Sequence, residues 1–202
     1  MSKEKKLPVL EIFSSVQGEG YFSGQNVTFL RLAGCDVGCP WCDTKESWEI
    51  KKDQYMAINQ ILSLVNLYNN KTVVITGGEP MMWNLEILTF QLKQAGYFIN
   101  LETSGAYPFS GQFDWICLSP KKFKPVLKDW FIRADELKVI IFNKSDFSWA
   151  TENAAKVHDN CKLFIQPEWT KKEKNNFLID DFISKNKNWK LSLQMHKYLN
   201  LP

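Results

Sequence analysis

The feature of this sequence that most limits its fold is a repeated punctuation. Short apolar, β-branched runs each stop at a polar or glycine-containing cluster. The runs are Val27–Leu32, Thr72–Thr76, Phe98–Glu102, Asp114–Leu118, Leu137–Phe142, Lys162–Gln166 and Lys190–Gln194, all of strand length. Between several of them apolar residues fall at helical spacing, as in Ile58, Ile61, Leu62 and Val65, or Leu85, Leu88 and Leu92. Strands alternating with helices imply a parallel sheet joined by right-handed crossovers. The clusters include Gly77-Gly78-Glu79-Pro80, Thr103-Ser104-Gly105, Ser119-Pro120-Lys121, Gln166-Pro167-Glu168 and Gln194-Met195-His196. Ligands of such sheets gather at the carboxyl ends of strands, and so many clusters on one edge favour a barrel-like curve. About eleven residues part the third run from the fourth, too few for a standard crossover helix. The expected fold is α/β: one domain over residues 1–202, an incomplete, trimmed β/α barrel with a mostly parallel, curved sheet. A further extended piece, Val9–Phe13, either pairs at the edge or lays its Gln17-Gly18-Glu19-Gly20 loop across the mouth.

The first run opens onto Cys35, Cys39 and Cys42, spaced C-x3-C-x2-C. Three thiolates on one loop suit a [4Fe–4S] cluster whose remaining iron is open to a non-protein ligand, whereas a fourth cysteine would close it. A structural zinc site of the Cys3His kind is the alternative. Its fourth ligand would have to be His158 or His196, both distant in sequence. Five cysteines, three of them clustered, argue against a disulfide framework. Cys117 and Cys161 lie in apolar segments and read as buried, inert thiols.

A net charge of +3 is too small to indicate nucleic acid or a membrane surface as partner. The lysines of Lys3–Lys6, Lys121–Lys124 and Lys171–Lys174 read as solvated faces. No stretch approaches the ~18 apolar residues of a membrane span, and the first residues lack the apolar core of a secretory signal. A cytoplasmic setting, where thiols stay reduced, is expected.

The cysteine triplet, with Trp41 before its last member and Gly77–Pro80 one strand later, resembles the radical S-adenosylmethionine (SAM) superfamily. The resemblance implies that the amino and carboxylate groups of SAM chelate the open iron. One-electron cleavage of the sulfonium then yields a 5′-deoxyadenosyl radical. Alone, Gly77–Pro80 reads as a strand-to-helix turn in which Pro80 opens a helix. Beside the cysteines, the glycine backbone at Gly78 and the Glu79 carboxylate are expected to bind the α-ammonium group of SAM.

More specifically, the sequence is similar nearly end to end to the 7-carboxy-7-deazaguanine synthases. The similarity rests on Val16-Gln17-Gly18-Glu19-Gly20, the segment Phe29–Cys35, Cys42-Asp43-Thr44, Gly77–Pro80, Glu102–Gly105, Ser119–Lys121, Gln166-Pro167 and the tail Ser192–Pro202. Members convert 6-carboxy-5,6,7,8-tetrahydropterin into 7-carboxy-7-deazaguanine and ammonia, on the route to queuosine-type 7-deazapurines. The resemblance implies a lyase with a [4Fe–4S] cluster, catalytic SAM and Mg²⁺. It also implies an external electron donor of flavodoxin or ferredoxin type, and a homodimer.

Residue by residue, the resemblance assigns the pterin to Val16, Gln17, Gly18, Glu19, Arg31, Thr103, His196 and the carboxylate of Pro202. Arg31 would grip the substrate carboxylate with two prongs; without the resemblance it reads as a surface ion pair on an edge strand. SAM is assigned to Trp41, Asp43, Gly78, Glu79, Gly105, Ser119, Pro120, Lys121, Gln166 and Pro167. Thr44 matches a Mg²⁺ contact, a weak neutral ligand that leaves most of the shell to substrate and water; otherwise Asp43 or Thr44 reads as a helix cap. Glu168 receives no role. The implied mechanism removes hydrogen from C6 of the pterin, contracts the ring, and returns hydrogen before ammonia leaves, with no side chain as nucleophile. Two other readings share the cysteine loop. An activase of glycyl-radical enzymes needs a mouth open to a peptide, and a non-catalytic metal scaffold leaves the strand-end clusters unexplained.

Overall fold

Alternation along each strand decides what the sheet buries on either side. The computed structural model describes residues 5–202; Lys3 of the first lysine run lies outside them, as do the residues before it. In chain order the elements are β1 (Lys6–Val16), β2 (Asn26–Leu32), β3 (Tyr55–Ala57), α1 (Ile58–Leu67), β4 (Thr72–Gly77), α2 (Glu86–Gln94) and β5 (Phe98–Thr103). They continue with β6 (Trp115–Leu118), α3 (Lys128–Arg133), β7 (Glu136–Ile141), α4 (Ser145–Ala154), β8 (Lys162–Pro167), α5 (Lys172–Lys185), β9 (Trp189–Leu191) and α6 (Met195–Leu199).

The strands form one sheet in the order β3-β1-β2-β4-β5-β6-β7-β8-β9. From β2 to β9 every pairing is parallel, and β1 runs antiparallel to both β2 and β3. The sheet is not closed, as a trimmed barrel requires. No helix separates β5 from β6, which agrees with the short connection seen in the sequence. The Val9–Phe13 piece does both things open to it: it pairs with β2, and its loop crosses the site. β9 stops at Leu191, short of the expected Gln194, because Ser192 to Gln194 turn away to bind groups at the mouth.

One face of the sheet packs on the helices. Leu30, Leu32, Ile75, Ile99, Leu101, Leu118 and Leu137 meet Ile61 and Val65 of α1, Leu88 and Leu92 of α2, and Trp130 of α3 in one buried cluster. At α1 the Gln60 amide oxygen accepts from the Ala57 backbone N–H at 3.0 Å, half of a capping box. The other face lines the hollow of the curve. There Phe29 packs with Val27, Val74 and Phe13. Tyr21 stacks on Trp115 and Phe22 meets it edge-on, with centroids at 4.8 and 4.9 Å, at the amino-terminal ends of β5 and β6. That plug leaves the opposite, carboxyl end of the hollow for ligands.

Candidate active site

The cysteine loop follows β2 and is tied down at its base. Gly34 N–H donates to Ser47 O at 2.7 Å and Cys35 N–H to Trp48 O at 3.2 Å. The loop after β4 is stitched to the same base, Gly78 N–H to Leu32 O and Glu79 N–H to Gly34 O, both at 2.8 Å. Glycine is required here: a Cβ on Gly77 would lie 2.2 Å from Leu32 O, and one on Gly78 2.3 Å from Gly34 O. Cys35, Cys39 and Cys42 all line a cavity of about 760 Å³ at the carboxyl ends of the strands. Burial raises the Cys35 thiol and pushes Cys39 up to about 11.

The donor set fits an iron–sulfur cube better than one ion. Among the described residues no three His, Cys, Asp or Glu side chains converge on a single ion position. A cube takes each thiolate at a separate iron, so it asks for no such convergence. His158 is exposed beyond the end of α4, and His196, though it lines the same cavity, joins the cysteines in no such ion-binding group among the described residues. Cys117 and Cys161 are buried and free; burial raises the first well above its usual value and the second to about 12.

The residues assigned by resemblance converge on this cavity, with Gly18, Gly105 and Pro120 set back from its wall. Gly18 accepts from Met195 N–H at 3.0 Å, and a Cβ there would lie 2.3 Å from Nδ1 of His196. Gly105 turns the chain behind Thr103 with φ +73°. Pro120 lines an adjoining cavity of about 310 Å³ with Trp41 and Lys121.

Several assigned side chains already have protein partners. Glu79 is 2% exposed; Oε1 accepts from Met81 N–H and the Thr103 hydroxyl, and Oε2 from both N–H and hydroxyl of Ser104. Its carboxylate is thus committed to the loops after β4 and β5. The acceptor left for an ammonium group at this edge is the Gly78 carbonyl, which takes no hydrogen bond among the described residues. The Thr103 hydroxyl, donating to Glu79 at 2.6 Å, accepts from Gly105 N–H at 3.0 Å. Lys121, unlike the solvated lysine expected of its run, is half-buried and donates to the Ser119 carbonyl and hydroxyl.

Arg31 combines both readings of it. Its Nε pairs with Glu11 Oε1 at 2.7 Å while the residue still lines the cavity, and its Nη groups have no protein hydrogen-bond partner among the described residues. Thr44 precedes a 3-10 turn at Lys45–Ser47 without capping it through its side chain. Its hydroxyl makes only a 3.4 Å contact with Asp43, which leaves it free to meet a cation. Burial holds half-buried His196 below its usual value, so it is neutral at pH 7.

Reasoning from sequence missed Lys138, Glu102, Gln194 and Lys197. Lys138, on the inward face of β7, pairs with Glu19 Oε2 at 2.5 Å and stands 3.7 Å from Glu102 Oε1. Gln17 Nε2 donates to Glu102 at 3.1 Å, behind the same wall. Gln194 Nε2 donates both to Glu19 Oε1 at 2.9 Å and to Asp43 Oδ2 at 3.1 Å, joining the loop after β1 to the cysteine loop. Lys197 also pairs with Asp43, at 2.8 Å. A charge inside Leu137-Lys138-Val139-Ile140 was the available signal. Glu168 lines the cavity and accepts from the Thr170 hydroxyl at 2.7 Å.

A mostly parallel curved sheet with three cysteines after its first parallel strand defines a class, and comparison with known proteins agrees. Residues 30–130 match the model of the radical SAM superfamily, and the chain is a radical SAM enzyme that takes a [4Fe–4S] cluster and SAM. A 7-carboxy-7-deazaguanine synthase of Flavobacterium psychrophilum is 48% identical over 100% of this chain and 96% of its own. That of Synechocystis is 45% identical over 96% and 93%, and that of Escherichia coli K12 34% over 96% and 98%. The crystal structure of QueE from Escherichia coli superposes with TM-score 0.84 at 32% identity, covering 95% of each chain. The chain belongs to the 7-carboxy-7-deazaguanine synthase family.

Proposed function

We infer that this enzyme converts 6-carboxy-5,6,7,8-tetrahydropterin into 7-carboxy-7-deazaguanine and ammonia, for queuosine-type deazapurines. The observation that carries this reading is one cavity containing both the cysteine loop and the Gln17–Glu19, Arg31 and His196 groups. When bound, the cluster supplies the electron that splits SAM and so starts the radical ring contraction. Cys35, Cys39 and Cys42 hold it, and the Gly78 carbonyl, Trp41, Ser119, Lys121 and Gln166 face SAM. Asp43 and Pro167 complete the SAM side, while Gly105 and Pro120 shape the loops behind it.

On the opposite wall Arg31 takes the substrate carboxylate through its Nη fork, with Thr44 offering a hydroxyl to the Mg²⁺ beside it. Val16, Gln17, Gly18, Glu19, Thr103 and His196 surround the pterin, and Pro202 stands at the mouth. Orientation is the protein's main contribution, since no cavity residue needs to act as nucleophile. The tail helix α6 reaches over the mouth through Lys197 and Gln194, which does not suit the peptide entry an activase needs.

All 202 residues serve as one radical SAM domain, a reading supported by the continuous sheet. Among the described residues no helix is long and apolar enough to cross a membrane. A cytoplasmic homodimer reduced by a flavodoxin or ferredoxin completes the proposal. The test is anaerobic: reconstituted enzyme, reductant, SAM and Mg²⁺, with and without the carboxytetrahydropterin. The deazaguanine should form only with the pterin present. SAM cleavage without that product would remove the substrate assignment.

A further inference from the structure

Lys138 is the least expected group in the cavity wall. Its side chain is 4% exposed, yet its ammonium makes one hydrogen bond among the described residues, to Glu19, with Glu102 at ion-pair distance beyond it. An ammonium has three N–H donors. Burying one is favourable only when its charge and its protons are satisfied. Here two carboxylates more than balance the charge, and the unsatisfied donors belong to a side chain that lines the ligand cavity. A packing role would be served as well by an apolar residue of similar length. The arrangement is therefore suited to a ligand that completes it.

Glu19 offers the complementary half. Oε1 accepts from Gln194 and Oε2 from Lys138, so each oxygen keeps a lone pair for a further donor. Glu19 and Lys138 thus place an acceptor and a donor side by side, at a separation of 2.5 Å. A lactam edge carries the converse pair, an N–H next to a C=O. We propose that Lys138 is a specificity-determining residue that donates to the ring carbonyl of the pterin while Glu19 accepts from the adjacent ring N–H and amino group. This rests on the pterin reading above and deepens it: the pair selects a 4-oxo over a 4-amino pteridine. An amino group in place of the carbonyl would face Lys138 with donor against donor, and a buried unmatched donor is rejected strongly.

The probes are 6-carboxypterin and 2,4-diaminopteridine-6-carboxylic acid, titrated by pteridine fluorescence into the reconstituted holoenzyme with SAM and Mg²⁺. The wild-type protein should bind the oxo compound at least roughly tenfold more tightly. Lys138→Met should shrink the oxo preference at least about threefold, Glu19 keeping the part that depends on the ring N–H, and Lys138→Arg should keep the wild-type preference. Equal binding of both probes by the wild type overturns the inference, whatever the stability of the variants. So does a Lys138→Met protein that keeps the wild-type preference. Binding of neither probe would instead overturn the pterin reading, and the inference with it.

Discussion

At the residue scale, two close approaches set the chemistry. Gly78 lets the loop after β4 lie on the base of the cysteine loop, where a Cβ would meet the Gly34 carbonyl. Both partners are backbone, so Gly78→Ala should destabilise the fold by about 1–3 kcal/mol. Its sharper effect should be on iron: less iron per chain after reconstitution, with a weaker cluster signal in electron paramagnetic resonance. The second approach is Glu19 to Lys138. Burial alone raises the Glu19 carboxyl, but Lys138 and Gln194 outweigh it and hold the group below its usual 4.5. Burial alone lowers Lys138, but Glu102 and Glu19 hold it well above its usual 10.5. Glu19 therefore contributes fully above 4.5, a contribution lost as pH falls through its lower folded value. Lys138 contributes fully below 10.5, a contribution lost as pH rises through its higher folded value. With His196 neutral as well, the KM for the pterin should then be flat between roughly pH 7 and 9, as steady-state rates across that range would show. Lys138 was hard to read because strands buried on both faces look like continuous apolar runs; only the inward half of that run meets polar groups.

At the scale of elements, strand-end clusters and helical spacing were legible because period and punctuation are local properties. β2 and β4 to β8 lie within a residue or so of the runs in the sequence, and the cysteine and Gly-Gly-Glu-Pro loops meet as expected. What was not legible depends on segments distant in the chain. The Glu79 carboxylate looked free until Thr103 and Ser104 were brought against it, and the tail's bonds to Asp43 appear only once β9 has turned back. The tail itself is lightly held. α6 buries no residue, and Tyr198 is kept in place by an edge contact with Trp169 at 5.0 Å. Lys172 lies 3.5 Å from the Trp169 ring centre and 4.6 Å from that of Tyr198. Trp169→Ala removes contacts worth about 1–2 kcal/mol. Hydrogen exchange at residues 195–199 should accelerate about 5- to 30-fold, with KM rising and the melting temperature little changed. Unaltered exchange there would mean that the tail is held by its ion pair and hydrogen bonds instead.

At the scale of the whole molecule, metal and fold are separable. The apolar cluster between sheet and helices contains none of the three cysteines, and the base of their loop is closed by protein hydrogen bonds. Removing iron with a chelator should leave the far-ultraviolet circular dichroism unchanged, unlike a zinc finger, whose fold is made by its metal. A collapse of that spectrum would show the cluster to be structural. The open sheet has one more consequence. Its unclosed side is spanned by Gly20 to Ser192 and Glu19 to Gln194, contacts 172 and 175 positions apart along the chain. A nascent polypeptide still short of that return has its cysteines but not its finished pterin seat. Iron acquired early, during synthesis on the ribosome, therefore sits in a protein that cannot yet select what its radical would attack.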